Sequence, residues 1–390
     1  MDDGHVAHSA RVGIIGGGPI GLETAWALGR RGVDATVLEA GRVGSTMAWW
    51  APGTRYFSSP ERIEICGVPL VTASQDKATR EEYLDYLRQV VGARSLDVRP
   101  GRRVLRVWRE GDGFVVETAR SVHGVGGEPE LRREADRKQA DREHAGTQRW
   151  RFERLVLAIG NMHRPRTLAV PGEGLPHVSH YLRDPGEYAG LDVLIVGGKN
   201  SAAEAAIRLH RAGARVRMSY RRGMFDRERL KYWIHPELEW LIRKGAIGFE
   251  ARTEVELIDP AGVVLRGTEF DPEHLGEVLE GAEPVLAPHE SRRVAPDRVL
   301  LLTGYVQDRG LFDELGVQTW GEEQRPRFDP ETMESNVPGV YIAGTAAGGS
   351  QRRTKVFIET AHVHAERIAA AVVGEVSRAE APRYGAMEES

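Results

Sequence analysis

Cysteine is almost missing from this chain: its 390 residues include one, Cys66. That excludes an intrachain disulfide and any thiolate-rich metal or iron–sulfur site. Long apolar runs are missing too. None approaches the ~20 residues that a membrane-spanning helix requires, so no membrane partner is expected. Neither sign of charge predominates, with 53 Lys and Arg against 57 Asp and Glu and a formal net charge of -4, which gives no electrostatic reason to expect nucleic acid or anionic lipid. The stretch from Met1 to Ala10 lacks a basic n-region and an apolar h-region. No secretory signal is read there, and the expected location is cytoplasmic. Hydrophobic residues at 41% and charged residues at 28% suit a globular chain with room for two or three domains.

What is present is concentrated near the start. Val12-Gly13-Ile14-Ile15 is a short apolar run of the kind that forms a buried parallel strand. Gly16, Gly18 and Gly21 then fall into G-x-G-x-x-G, with Pro19 between them, and a helical segment runs on to Arg30. Ala35 to Leu38 form a second apolar strand, followed by Glu39, 18 residues beyond Gly21. Each glycine has a physical job. Gly16 permits a tight turn, Gly18 lets the backbone approach a pyrophosphate, and Gly21 lets helix and strand pack closely. Glu39 stands where a carboxylate binds the ribose hydroxyls of an adenine dinucleotide. A Gly-rich loop without chemical meaning is the competing reading. Strand, helix, second strand and acid in register favour the dinucleotide site.

Farther along, Trp49, Trp50, Tyr56 and Phe57 cluster among turn residues. Lys77 to Val91 has amphipathic periodicity, with Tyr83, Leu84, Leu87 and Val91 expected on the buried side. Arg102 to Trp108 and Phe114 to Thr118 alternate around Gly111-Asp112-Gly113, a β-hairpin pattern. Residues 121–148 are rich in charge of both signs and read as a solvated insertion, whose interleaved acids argue against a basic binding arm. Trp150 to Phe152 and Arg154 to Ile159 return to strand and end at Gly160.

A second unit repeats the first about 180 residues later. Asp192 to Val196 is its strand, Gly197-Gly198-Lys199-Asn200-Ser201 its turn, Ala203 to Arg211 its helix and Ala214 to Tyr220 its next strand. Lys199 replaces the middle glycine. The second strand ends in Arg221 and Arg222, with Arg227 nearby and no acid. Arginines there suit a 2′-phosphate, so NADPH is expected over NADH. Lys231, Tyr232 and Trp233 admit two readings, an amphipathic segment with a snorkelling lysine or residues near the nicotinamide or substrate. Later, Arg298 to Leu302 runs into Gly304. Val340 to Ile342 leads to Gly344 and Thr345, a second possible contact for pyrophosphate or flavin, before an Ala-rich helix from Val356 to Ala371. His362 and His364 stand two apart and share no helix face, so no metal site is expected.

Taken together, these stretches resemble the two-dinucleotide-binding-domain flavoproteins, and within them are most similar to the thioredoxin-reductase-like bacillithiol disulfide reductase family. The resemblance rests on Gly16 to Pro19, Tyr56 to Ile65 with Gly67-Val68-Pro69, Val196 to Ala202, Lys231 to Trp233, Leu302 to Tyr305, Asn336 to Gly344 and Phe357 to Glu359. It implies an α/β chain of two Rossmann-like domains. A discontinuous FAD-binding domain would span 1–170 and 301–390, with an NADPH-binding domain over 171–300 inserted in it. It places Gly160, Gly344, Thr345, Phe357 and Ile358 with the FAD site, and Gly197 to Ser201, Arg221, Arg222 and Gly304 with the NADPH site. It raises Lys231, Tyr232 and Trp233 as active-site candidates. A homo-oligomer, dimer or tetramer, acting on a small-molecule substrate is expected.

The departures carry as much information. The bacillithiol group usually has a cysteine within the first glycine turn, and here that position is Ile20. No cysteine lies in Gly41 to Trp50 or in residues 175–300, where dithiol reductases of the wider superfamily carry their pairs. Reduction through an enzyme dithiol within one chain is therefore excluded. Cys66 is either a lone catalytic thiol or a buried small hydrophobe beside Ile63 and Ile65. The leading expectation is an FAD-dependent NADPH oxidoreductase that passes hydride to a small acceptor such as a low-molecular-weight disulfide. A flavin monooxygenase is the alternative, from Ala158 to Arg166 and His177 to Tyr181. A flavin-state sensor is the third.

Overall fold

The apolar run at Val12 to Ile15 ends a longer strand, β1 (Val6–Ile15). The computed structural model describes residues 6–121, 147–227, 230–269, 277–351 and 356–380. Nearly all of the insertion expected over 121–148 lies outside the described residues. After β1 come α1 (Pro19–Gly29) and β2 (Ala35–Leu38), then α2 (Arg80–Ala93) and β3 (Val98–Arg99). The hairpin pattern forms β4 (Arg102–Glu110) and β5 (Gly113–Arg120), and β6 (Gln148–Leu157) is one uninterrupted strand.

The start of α2 follows from its sequence. Thr79 Oγ1 accepts from the N–H of Glu82, while the Glu82 carboxylate accepts from the N–H of Thr79 at 2.8 Å, a reciprocal cap. Its buried face differs from the expected one. Tyr83, Tyr86, Leu87 and Val90 are buried, whereas Leu84 and Val91 are only half-buried. The reason is polar. The Tyr86 hydroxyl donates to the carbonyl of Val68 at 2.7 Å and accepts from the N–H of Ile65 at 2.6 Å, and the Tyr83 hydroxyl donates to the carbonyl of Ile63 at 2.8 Å. Two tyrosines thus satisfy a buried loop, a role that hydrophobic periodicity does not register.

The middle of the chain supplies β7 (Val178–Ser179), β8 (Asp192–Val196), α3 (Asn200–Arg211), β9 (Arg215–Tyr220), α4 (Ile234–Arg243) and β10 (Ile247–Ala251). It continues with β11 (Thr253–Asp259), β12 (Gly262–Gly267), β13 (Ser291–Val294) and β14 (Arg298–Leu301). The chain closes with β15 (Val340–Ile342) and α5 (Ile358–Val372). It divides into two compact units. One comprises 1–49, 53–164 and 305–389, and the other 50–52, 165–304 and 390.

In the first unit the sheet order is β3-β2-β1-β6-β5-β4, with β15 also paired to β6. β1 is parallel to β2 and β6, and β15 is parallel to β6. Register aligns Ile15 with Leu38 and Leu157, and Leu157 with Ile342. Four strands therefore end side by side, and the segments after them share one edge. That carboxyl edge is where open α/β sheets bind ligands. Beneath it Ile14, Leu155, Val156 and Ile342 are fully buried, each contributing about 1.5–3 kcal/mol by leaving water.

The second unit has its own parallel sheet, in the order β10-β9-β8-β14-β7. Val196 lies opposite Ser219 and Leu301, so the turns after β8, β9 and β14 again share the carboxyl edge. An antiparallel sheet, β11-β12-β13, packs through Val263 and Leu265 against Leu194 and Val299.

Candidate functional site

In the first unit the three motif glycines have three different surroundings. Gly16 has φ +114°, and an added Cβ would lie 2.3 Å from the carbonyl oxygen of Ala158. At Gly21 the same test gives 2.1 Å to the carbonyl oxygen of Gly16. Both need glycine for reasons internal to the fold. Gly18 does not. Its φ is an ordinary -82°, and an added Cβ would meet nothing within 4 Å. It is the N-cap of α1, no side chain caps it, and Pro19 follows. This leaves an uncapped helix N-terminus facing open space, where backbone N–H groups favour an anion.

Beside this turn stands Glu39, 6% exposed. Its Oε2 accepts from the N–H of Gly17 at 2.7 Å, and its Oε1 accepts from the N–H of Gly41 and the Ser45 hydroxyl, each at 2.7 Å. Oε1 has both lone pairs engaged and Oε2 keeps one, so the rigidly held carboxylate can accept one further hydrogen bond. Gly41 and Ser45 carry no motif, and the sequence did not single them out for this role.

The late glycine turn meets the same edge. Gly344 has φ +65°, and an added Cβ would come 3.2 Å from Cβ of Ile20. Its N–H donates to Nδ1 of His364 at 3.2 Å. Burial, with the charges of Arg367 and His362 behind it, lowers the His364 pKa to about 4. The ring is neutral, and Nδ1 remains an acceptor. Gln307, 2% exposed, donates through its amide to the carbonyls of Gly160 and Ala346, each at 3.0 Å. It thereby ties the β6 turn to the turn beginning at Gly344, and Thr345 lies 3.8 Å from an added Cβ at Gly160. Phe357 precedes α5 and is exposed; Ile358 is its first residue and half-buried.

His362 is bonded on both ring nitrogens, to Glu23 Oε2 at 2.7 Å and to the carbonyl of Arg62 at 2.9 Å. Burial opposes charge on it. The hydrogen bond and charge of Glu23, with the Arg62 carbonyl and Glu359, outweigh that and raise its pKa. Both partners are acceptors, so each ring nitrogen donates when the ring is protonated. Among the described residues no group of three or more His, Cys, Asp or Glu is placed to hold a metal.

Cys66 sits in the loop clasped by Tyr83 and Tyr86, 0% exposed and at φ 58°. Burial, reinforced by the charge of Glu23 and only partly opposed by Arg94, pushes its thiol pKa up. These surroundings suit the buried hydrophobe of the two sequence readings and disfavour a thiolate.

In the second unit Gly197 has φ +145°, and an added Cβ would lie 2.5 Å from the carbonyl oxygen of Leu302. At Gly198 an added Cβ would strike the Tyr220 ring at 2.4 Å. Lys199 is the extended N-cap of α3 and is exposed, as is Ser201. Asn200 Oδ1 accepts from the backbone N–H of Lys231 at 2.9 Å, which brings the segment Lys231 to Trp233 to this turn. Trp233 packs edge-on to Tyr232 with centroids 4.8 Å apart, and Tyr232 is 65% exposed. Arg221 is exposed, whereas Arg222 lies 3.5 Å from Asp226. Gly304 has φ +98°, and its carbonyl accepts from the N–H of Arg166 at 2.8 Å.

Comparison with known proteins adds a family and relatives. The model of the family described as pyridine nucleotide-disulphide oxidoreductase matches residues 13–123 and 144–344. The bacilliredoxin reductase Bdr of Bacillus subtilis is 33% identical over 360 residues, covering 92% of this chain and 96% of that protein. A ferredoxin–NADP reductase of Ignicoccus hospitalis is 28% identical over 344 residues, covering 87% and 90%. Among solved structures, the bacillithiol disulfide reductase Bdr of Bacillus cereus superposes with a TM-score of 0.78 at 30% identity, covering 94% of this chain and 99% of that one.

Proposed function

The chain belongs to the pyridine nucleotide-disulphide oxidoreductase family and is a flavin-dependent oxidoreductase using a nicotinamide nucleotide; on that premise we propose that its flavin is FAD, its nucleotide NADPH, and its acceptor a low-molecular-weight disulfide. FAD belongs to the first unit. Gly16, Gly18, Pro19 and Gly21 would hold its pyrophosphate and Glu39 its ribose hydroxyls, with Gly160, Gly344, Thr345, Phe357 and Ile358 serving the rest of the cofactor. NADPH belongs to the second unit, with Gly197, Gly198, Lys199, Asn200 and Ser201 at the pyrophosphate and Arg221 and Arg222 at the 2′-phosphate. Gly304 completes that edge. Lys231, Tyr232 and Trp233 stand beside it through Asn200.

One observation carries the reading: the strand–turn–helix–strand unit occurs twice and ends in opposite charge, Glu39 in the first case and Arg221 with Arg222 in the second. A carboxylate suits ribose hydroxyls, and guanidinium groups suit a phosphate. The disulfide acceptor is supported by the likeness to bacilliredoxin and bacillithiol disulfide reductases. Bound flavin supplies the redox chemistry, by which NADPH, a proton and a disulfide become NADP⁺ and two thiols. The protein supplies binding and orientation. It supplies no dithiol, because Cys66 is the single cysteine and is buried.

The test is anaerobic. Flavin-loaded protein is reduced with NADPH and mixed with a panel of small disulfides, in wild type and in Cys66→Ser. Fast reoxidation by a disulfide in both proteins is the expected result. Inert disulfides alongside fast reoxidation by oxygen or by a one-electron protein acceptor would replace this acceptor with another.

A further inference from the structure

The edge of the first sheet carries a buried amide that no glycine motif announces. Gln307 is 2% exposed. Its backbone N–H donates to the Ser350 hydroxyl at 2.9 Å, and its amide nitrogen donates to the carbonyls of Gly160 and Ala346, each at 3.0 Å. Both amide protons are thereby used. Oε1 is buried as well and has no hydrogen-bond partner among the described residues.

That orphan shows what the side chain is held for. Turning the amide over would aim Oε1 at two carbonyl oxygens, so the two acceptors fix its orientation. A buried acceptor without a donor lowers stability. Gln307 thus leaves one oxygen unpaired in order to hold two carbonyls.

Both carbonyls belong to turns at the carboxyl edge. Gly160 follows β6, and Ala346 lies in the short helical turn Gly344–Gly348 that follows β15. β6 runs parallel to β1 and to β15. The Gly16 turn abuts the first of these turns, since a Cβ added at Gly16 would lie 2.3 Å from the carbonyl oxygen of Ala158. The start of α1 abuts the second, where a Cβ added at Gly344 would lie 3.2 Å from Cβ of Ile20. Asn161 adds another tie, as its Nδ2 donates to the carbonyl of Gly349 at 3.2 Å. The N–H of Ser350 donates to the carbonyl of Glu323 at 2.7 Å, which anchors the far end of the second turn.

From this geometry we infer that Gln307 is a positioning residue for the flavin: it fixes the separation of the two turns that meet the cofactor and occupies the carbonyls of Gly160 and Ala346, and so raises the flavin's reduction potential. The inference rests on the reading of the first unit as the FAD site and deepens it. Hydride brings two electrons and one proton, so the flavin gains a negative charge on reduction. Carbonyl oxygens released from their donors in a water-poor site oppose such a charge. Gln307 acts through these two backbone groups.

The experiment measures the midpoint potential of the FAD-loaded full-length protein, anaerobically against a reference dye, together with the Tm of the same samples. Gln307→Met keeps the length of the side chain and removes both donors. Its flavin is expected to be harder to reduce, with the two-electron equilibrium moved at least tenfold toward the oxidised form, about 30 mV. Gln307→Asn keeps the amide on a shorter side chain and should fall between Gln307→Met and wild type. Ser350→Ala removes the acceptor of the Gln307 N–H and leaves the two carbonyl contacts, so it should lower Tm and keep the wild-type potential. That comparison separates positioning from stability, and Gln307→Asn carries it if Gln307→Met does not fold. A potential unchanged in every folded Gln307 variant that binds FAD, or an equal shift in Ser350→Ala, would overturn the role of Gln307 and leave the FAD reading standing. A wild type that takes up no FAD would overturn both.

Discussion

The carboxylate of Glu39 accepts a hydrogen bond from the backbone N–H of Gly17 at 2.7 Å, across 22 residues of sequence. The same carboxylate holds Gly41 and Ser45, so one buried acid organises the whole approach to the first glycine turn. Glu39→Ala leaves these donors without their acceptor, at about 1–3 kcal/mol for each that stays buried. It also removes the ribose contact. The variant is expected to purify with little flavin and a lowered Tm, and Glu39→Gln to fall between it and wild type. The ratio of flavin to protein absorbance, together with a melting curve, checks both.

The glycines separate folding from binding. Gly18→Ala places a methyl in open space at an ordinary φ. The flavin-free protein should melt as wild type does, with flavin affinity reduced tenfold or more, about 1.4 kcal/mol. Gly21→Ala drives a methyl to 2.1 Å from a backbone oxygen and should lower stability with or without flavin. If Gly18→Ala binds flavin as tightly as wild type, the turn does not approach the pyrophosphate.

Two histidines set opposite pH responses. His364 has its pKa lowered to about 4 by burial. Between pH of about 6.5 and 4 the unfolded chain takes up a proton that the folded one refuses, so stability falls with falling pH across that window. His364→Gln keeps an acceptor for Gly344 and should flatten the acid side of a plot of Tm against pH. His362 has its pKa raised. Its contribution is complete below its unfolded value and is lost as pH rises through its folded value. His362→Gln should flatten the response above pH of about 6.5.

Much of this architecture was legible in the residues. Both βαβ units read clearly because apolar strands, glycine turns and helices follow one another locally, as G-x-G-x-x-G does from Gly16 to Gly21. The hidden parts depend on register or on distant partners. Nothing in the order of residues marks Gln307 as the tie between Gly160 and Ala346. The rotated face of α2 was obscured because Tyr86 is buried to bond a loop about 20 residues away, whereas periodicity weighs only side-chain apolarity. β12 and β13 escaped the sequence reading, since Gly262, Arg266 and Arg292 interrupt their apolar alternation; β11, where Val255 and Leu257 alternate with Glu254 and Glu256, was legible but not read.

Cys66 should be dispensable. Its thiol is buried and its pKa is raised. An aromatic disulfide reagent should therefore label the native protein slowly and the unfolded chain at one site. Cys66→Ser should keep kcat within about twofold, with any change appearing as stability of about 1 kcal/mol. Fast native labelling that abolishes turnover would restore the thiol to the reaction.

The most direct test of the central claim is anaerobic titration of the purified, FAD-loaded protein, followed by flavin absorbance. The account predicts that about one equivalent of NADPH per chain bleaches the flavin, as a two-electron transfer demands, and that NADH requires a large excess. A flavin left oxidised by NADPH, or a protein that stays colourless with added FAD, would contradict it.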